Sequence, residues 1–156
     1  MFFKMVVGAV FLLISNSAFA GQKFAQTWIG SGDNFHYKDI PNMKVVFSAP
    51  TRELASAKDL SSQVADFKKV RTNFADIPKI TDWQVAGSGV EEDGKQKWIL
   101  MQGSFKNPAG ETEKFYEIHY YKPGKSKVAA IHYPEQTPEK DVKAAVESIR
   151  EKMVEQ

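Results

Sequence analysis

Two stretches of the chain repeat hydrophobic residues at spacings of three and four, the pattern of a helix with one buried side. The first predicts a helix over residues 57–75, which Pro78 ends because a proline ring cannot continue the hydrogen-bond ladder. The second predicts a C-terminal helix with Thr137 as N-cap and Pro138 at the first helical position. The predicted buried stripes are Leu60, Val64, Phe67, Val70 and Phe74 in the first helix, and Val142, Ala145, Val146, Ile149 and Met153 in the second.

Between these helices, turn-forming residues separate four segments rich in β-branched and aromatic side chains, which is typical of an antiparallel meander. The predicted strands are 81–91, 96–105, 113–121 and 126–133. Asp93-Gly94 and Pro123-Gly124 form the first and last turns, and residues 107–110 form the middle one.

A fifth strand is predicted over residues 43–48, which lie between Pro41 and Pro50. Residues 21–42 show no clear period, although a short strand over 23–29 fits them. The pattern therefore predicts an α+β fold: a meander sheet of about five strands packed by two helices, in the order β-α-β-β-β-β-α.

The N-terminus has the three parts of a secretory signal peptide. Lys4 supplies a positive charge, residues 5–14 are apolar, and Ala18 and Ala20 give the small-x-small pattern at a cleavage site. An uncleaved membrane anchor is the alternative, but the apolar run is too short, because a helix needs about 20 residues to span a bilayer. We therefore expect cleavage of residues 1–20, a single mature domain over 21–156, a periplasmic or secreted location, and no stable membrane insertion after cleavage.

Composition and charge exclude several classes of function. The full chain has 21 basic and 19 acidic residues, and removal of Lys4 with the leader leaves the mature chain close to neutral. Nucleic-acid binding would need a clustered basic face, so we expect no nucleic-acid partner. The chain has no cysteine, which excludes disulfides, thiol nucleophiles and thiolate metal ligands. No cofactor motif is present, because Gly87 and Gly89 lack the helix that a dinucleotide site needs after its glycines.

The turn positions predict how the strands pair, and therefore which residues share a sheet face. A turn over residues 122–125 places His119 opposite Val128, and the four-residue turn before it places Trp98 opposite His119. One face is then expected to carry Trp83, Val85, Trp98, Leu100, Phe115, Glu117, His119, Tyr121 and His132. The other is expected to be the helix-covered core, with Ile99, Met101, Phe105, Tyr116, Ile118, Tyr120, Ala129, Ile131 and Tyr133.

The first of these faces is the candidate ligand or partner surface, because it mixes aromatic rings with titratable groups. Its site residues are Trp98, Phe115, Glu117, His119 and His132. A half-covered face in which these side chains bridge the interior and water is the structural alternative. No metal site is expected, because the histidines and Glu117 lack a tight ligand spacing. Acid–base catalysis by His119 and Glu117 is disfavoured as well, since residues two apart in a strand share a face but diverge.

The order of elements resembles the PsbP-like α+β fold. The residues behind the resemblance are the entry strand at 40–47, the meander, and the closing helix that contains Val146-Glu147-Ser148-Ile149. The resemblance covers residues 35–156 and implies a non-enzymatic binding role, but it transfers no individual residue.

Two functions follow as hypotheses. The first is an exported, non-catalytic protein that binds an envelope protein or a small ligand through the mixed aromatic and polar face. The alternative is a small envelope hydrolase or metal-dependent enzyme that uses His119, Glu117 and His132. The absence of a nucleophile–base–orienter pattern favours the first.

Overall fold

A computed structural model describes residues 24–49, 62, 65 and 81–155. The predicted signal peptide at 1–20 and nearly all of the predicted helix at 57–75, including Phe67, lie outside the described residues. Seven strands and a C-terminal helix are described. They are β1 (Trp28–Ser31), β2 (Asn34–Tyr37), β3 (Lys44–Ser48), β4 (Thr81–Asp93), β5 (Gln96–Lys106), β6 (Thr112–Lys122), β7 (Lys125–Pro134) and α1 (Glu139–Glu155).

The strands form one sheet in the order β1-β2-β3-β7-β6-β5-β4, and every neighbouring pair is antiparallel. The predicted α+β class and the four-strand meander are therefore confirmed, while the expected number of about five strands is too small. The missed strands are β1 and β2, which form a hairpin of four-residue strands. A helical turn occupies residues 24–27, where the sequence suggested the start of a strand.

The pairing of β6 with β7 matches the prediction, with His119 opposite Val128 and Phe115 opposite His132. The pairing of β5 with β6 differs from the prediction by one residue, since Trp98 lies opposite Tyr120 rather than His119. A five-residue loop, 107–111, is the cause, because Lys106 pairs directly with Thr112.

The side chain of Asn107 stabilises this longer loop. Its Oδ1 accepts hydrogen bonds from the backbone N–H groups of Ala109 and Glu111, each at 3.0 Å. The Asn107 N–H donates to the Glu111 carbonyl at 3.0 Å and closes the loop. Gly110 supplies the positive φ of 80° that the loop needs before β6 begins. Because a one-residue change of register moves every side chain of a strand to the other face, the longer loop places the β5 side chains on the face opposite to the predicted one.

The helix α1 packs on one face of the sheet, which we call the helix face. The predicted stripe is correct, because Ala145, Ile149 and Met153 are fully buried. The Trp28 Nε1 group of β1 donates to the Ser148 hydroxyl at 3.0 Å and links the edge strand to the helix. The helix-face core contains Phe24, Trp28, Met43, Val45, Phe47, Trp98, Ile118, Tyr120, Ala129, Ile131, Tyr133 and the buried side of α1.

The opposite side of the sheet, which we call the distal face, carries a second apolar cluster. Its buried members are Ile99, Met101, Phe105, Phe115 and Tyr121, and Trp83, Val85 and Val90 pack against them. Ile99, Met101 and Phe105 were expected on the helix-covered face. Their placement here follows from the same one-residue change of register in β5.

Candidate functional site

The predicted site residues are divided between the two faces of the sheet. Phe115, Glu117, His119 and His132 share the distal face, as expected from the β6–β7 register. Trp98 does not belong with them, because it pairs with Tyr120 and lies in the helix-face core. The expected surface of five residues therefore does not exist as one patch.

Glu117 and His119 are in direct contact, so the expectation that they diverge is wrong. The Nε2 atom of His119 lies 2.5 Å from Oε1 of Glu117, and Nδ1 lies 3.3 Å from the Tyr121 hydroxyl. The three residues alternate along β6 and form a line of polar groups within a sheet.

Burial limits the chemistry available to this line. Glu117 and His119 are only 6% and 5% exposed, and Tyr121 belongs to the distal-face cluster. A hydrolytic base must reach its substrate, and these side chains present almost no surface to one. The arrangement is typical of a buried polar network that fixes side-chain positions.

His132 lies in an aromatic environment on the same face. Its ring centroid is 4.9 Å from that of Phe105 and 6.3 Å from that of Trp83. Within residues 24–49, 62, 65 and 81–155, no three His, Asp or Glu side chains are grouped closely enough to hold a metal ion.

An open groove of about 700 Å³ lies on the helix face, between α1 and strands β4–β7. The sequence explains the opening, because β5 places Gln102, Gly103 and Ser104 here, while Trp98 fills the space under the C-terminal half of α1. Its remaining lining consists of Ala86, Lys114, Tyr116, Tyr133, Glu135 and Thr137 from the sheet side, and Glu139, Val142, Lys143, Val146, Glu147 and Arg150 from α1.

Two tyrosines give the groove its aromatic component. Tyr133 is buried and Tyr116 is half-buried, and both line the groove. Burial raises the pKa of both phenols; Tyr116 raises that of Tyr133 further, while the nearby Arg150 opposes the rise for Tyr116. The hydroxyl groups therefore stay protonated at neutral pH and can donate hydrogen bonds.

Arg150 connects α1 to the edge strand β4. Its Nη2 group lies 2.5 Å from Oε2 of Glu91, and its Nη1 group lies 3.5 Å from Oε1. The guanidinium carbon also lies 4.6 Å from the centroid of the Trp98 ring. Trp98 thus supports the groove from beneath Arg150, as a buried platform rather than as an exposed anchor.

The sequence alone did not indicate this groove. Its lining comes from four strands and one helix, and only the β5–β6 register places Gln102 on the face that α1 covers, where Tyr116 was already expected. The one local signal is the small and polar run Gln102-Gly103-Ser104 between the apolar residues Met101 and Phe105.

No protein-family model matches the chain, and no curated protein matches it. The resemblance to the PsbP-like fold therefore stays a prediction. Within the described residues, no helix is long and apolar enough to span a bilayer.

Proposed function

We propose that the chain is an exported, non-catalytic binding protein that holds a small ligand in the groove between α1 and strands β4–β7. The groove itself carries this proposal. Its volume of about 700 Å³ falls within the range of roughly 300–1,000 Å³ that small-molecule sites occupy. Tyrosine rings and the aliphatic side chains of Val142 and Val146 offer apolar contact, while polar groups surround them.

The proposed site lies on the helix face rather than on the distal face, where the sequence predicted it. The distal-face polar groups Glu117 and His119 are buried against one another, which supports a structural role for them. A hydrolase that uses Glu117, His119 and His132 would need substrate access to Glu117 and His119, which are almost fully covered. The groove, by contrast, is open, so a ligand can reach its lining residues directly.

Binding in the groove is tested by NMR on the full exported chain. Small molecules extracted from the periplasm of the source cells are added to isotope-labelled protein, and backbone amide shifts are mapped. We expect the shifts to cluster at Gln102, Tyr116, Tyr133 and Val146. Shifts confined to Phe115 and His132 would instead favour the distal face and contradict the proposal.

A groove-filling variant sharpens the experiment. Gln102 is exposed on the groove floor, so Gln102→Trp should occupy the space without disturbing the core. Val46→Trp adds the same side chain at an exposed position on the distal face of β3 and serves as the matched control. The first variant should lose the ligand-induced shifts and the second should keep them. Retention of the shifts by Gln102→Trp would overturn the groove as the site.

A further inference from the structure

The environment of Arg150 identifies a class of ligand for the groove, on the premise that the groove is the binding site. Arg150 lies on the groove lining and stacks on Trp98. Its planar guanidinium is well suited to hold a carboxylate through two parallel hydrogen bonds. In this structure the carboxylate in that place belongs to Glu91.

The Glu91 contact is of a kind that another carboxylate can replace. The side chain of Glu91 is 51% exposed and that of Arg150 is 29% exposed, so water screens the pair. Such surface ion pairs stabilise a protein only weakly. Exchange of Glu91 for a ligand carboxylate would therefore cost little, and Trp98 would keep the guanidinium in place during the exchange.

The neighbouring groups favour an acceptor on the ligand. The protonated Tyr116 hydroxyl is a donor close enough to Arg150 for the guanidinium to affect its pKa, and Tyr133 is electrostatically coupled to Tyr116. Three carboxylates also line the groove, and those of Glu135, Glu139 and Glu147 are all exposed to water. One of them, Glu139, is paired with Lys143 at 2.8 Å.

We propose that the groove binds a small organic acid with an apolar or aromatic body. The carboxylate pairs with Arg150 in place of Glu91. The body of the ligand lies along Tyr116, Tyr133 and the aliphatic side chains of Val142 and Val146. Glu91 acts as the intramolecular stand-in that satisfies Arg150 while the groove is empty.

The test compares two probes that differ only in the charged group, 4-phenylbutyrate and 4-phenylbutan-1-ol. Binding to the full exported chain is measured by NMR titration and by the change in tryptophan fluorescence, to which Trp98 contributes through its contact with Arg150. We expect the acid to bind about tenfold more tightly than the alcohol, since a hydrogen bond between two charged groups is stronger than one to a neutral hydroxyl. Equal affinity for the two probes would overturn the carboxylate assignment.

Three variants isolate the role of Arg150. Arg150→Gln should abolish the preference for the acid. Glu91→Gln should tighten acid binding about two- to fivefold, because the competing carboxylate is gone. Lys143→Gln removes a cation from the same groove wall and should leave the preference unchanged. An unchanged preference in Arg150→Gln, or weaker acid binding in Glu91→Gln, would contradict the proposal.

If the groove is not a binding site at all, the experiment gives a different result from the loss of carboxylate selectivity alone. In that case neither probe nor the periplasmic extract would shift the resonances of Tyr116 or Tyr133. If the alcohol and the acid shift these resonances equally, the groove binds ligands but Arg150 does not select a carboxylate.

Discussion

At the scale of single residues, Trp98 is held between a strand and a helix. Its ring centroid lies 4.3 Å from that of Tyr120, Arg150 covers it, and only 7% of the residue is exposed. Trp98→Ala should therefore lower the free energy of unfolding by about 3–5 kcal/mol, the usual cost of emptying an aromatic core site. Urea denaturation measures the loss.

Ile29→Ala is the matched control, because Ile29 is 48% exposed and should contribute less than about 0.5 kcal/mol. If Trp98→Ala were as stable as this control, the placement of Trp98 in the helix-face core would be wrong.

The buried pair of Glu117 and His119 also invites a test at the residue scale. His119→Phe leaves the Glu117 carboxylate buried without its imidazole partner. The expected cost is about 3–5 kcal/mol, because removal of one member of a buried pair destabilises a protein far more than replacement of both members. Replacement of both residues by apolar side chains, in Glu117→Met/His119→Phe, should regain most of that loss. The measurement is the free energy of unfolding of the single and double variants. A double variant no more stable than the single one would contradict a structural role for the pair.

At the scale of elements, the pairing of β4 with β5 depends on a close approach at Gly103. The register of this pair shifts between Thr81 and Gln84 and between Val85 and Gly87, so β4 bulges beside the groove. A Cβ atom at Gly103 would collide with the backbone carbonyl of Gln84 and lie 2.8 Å from the Phe115 ring. Glycine is required here because the backbone of β4 occupies that space.

Gly103→Ala should therefore destabilise the protein by about 1–3 kcal/mol through overpacking. Gly89→Ala is the control within the same strand pair, since nothing lies within 4 Å of its added Cβ atom. That variant should be neutral within about 0.5 kcal/mol. Thermal unfolding of the two variants compares them directly, and equal melting temperatures would exclude the close approach.

The elements also show which parts of the fold the sequence could predict. The β6–β7 hairpin was predictable because Pro123-Gly124 is a two-residue turn, and Gly124 has the positive φ that such a turn needs. The β5–β6 pairing was not predictable, because the sequence around Asn107 is compatible with a loop over 107–110 and with one over 107–111. The hydrogen bonds of Asn107 select the longer loop. The hairpin of β1 and β2 was missed because strands of four residues show too little periodicity.

At the scale of the whole molecule, buried tyrosines connect stability to alkaline pH. Burial raises the pKa of Tyr37, Tyr116, Tyr120 and Tyr133 above the ordinary value of 10.0. Above this pH the unfolded chain loses phenolic protons that the folded chain keeps, so the free energy of unfolding should fall as the pH rises. The pKa of Lys125 is lowered by burial and by nearby lysines, which gives an opposing contribution.

Urea unfolding at several values between about pH 9 and pH 11 measures this decline. Tyr120→Phe is a suitable variant, because the buried Tyr120 hydroxyl has no hydrogen-bond partner among the described residues. It should keep the fold and make the decline shallower. A stability that does not change across this range would contradict the expectation.

Export is a second prediction at this scale. If the Ala18 and Ala20 pattern directs cleavage, the protein recovered from the periplasm or the medium begins at Gly21. N-terminal sequencing of that protein is the measurement. Recovery of a chain that begins at Met1 would show that residues 1–20 are retained.

The sequence by itself determined the α+β class, the four strands of the meander, the β6–β7 register and the buried stripe of α1. These features are local: hydrophobic period, turn chemistry and helix-terminal residues each act over a few positions. The tertiary structure decided which face each β5 side chain takes, and therefore the position of Trp98 and the existence of the groove. Those features depend on a single hydrogen-bonded loop at Asn107 and on contacts between residues distant in sequence, such as Arg150 with Glu91. Local pattern cannot fix them, because a change of one residue in a loop exchanges the two faces of a strand at little local cost.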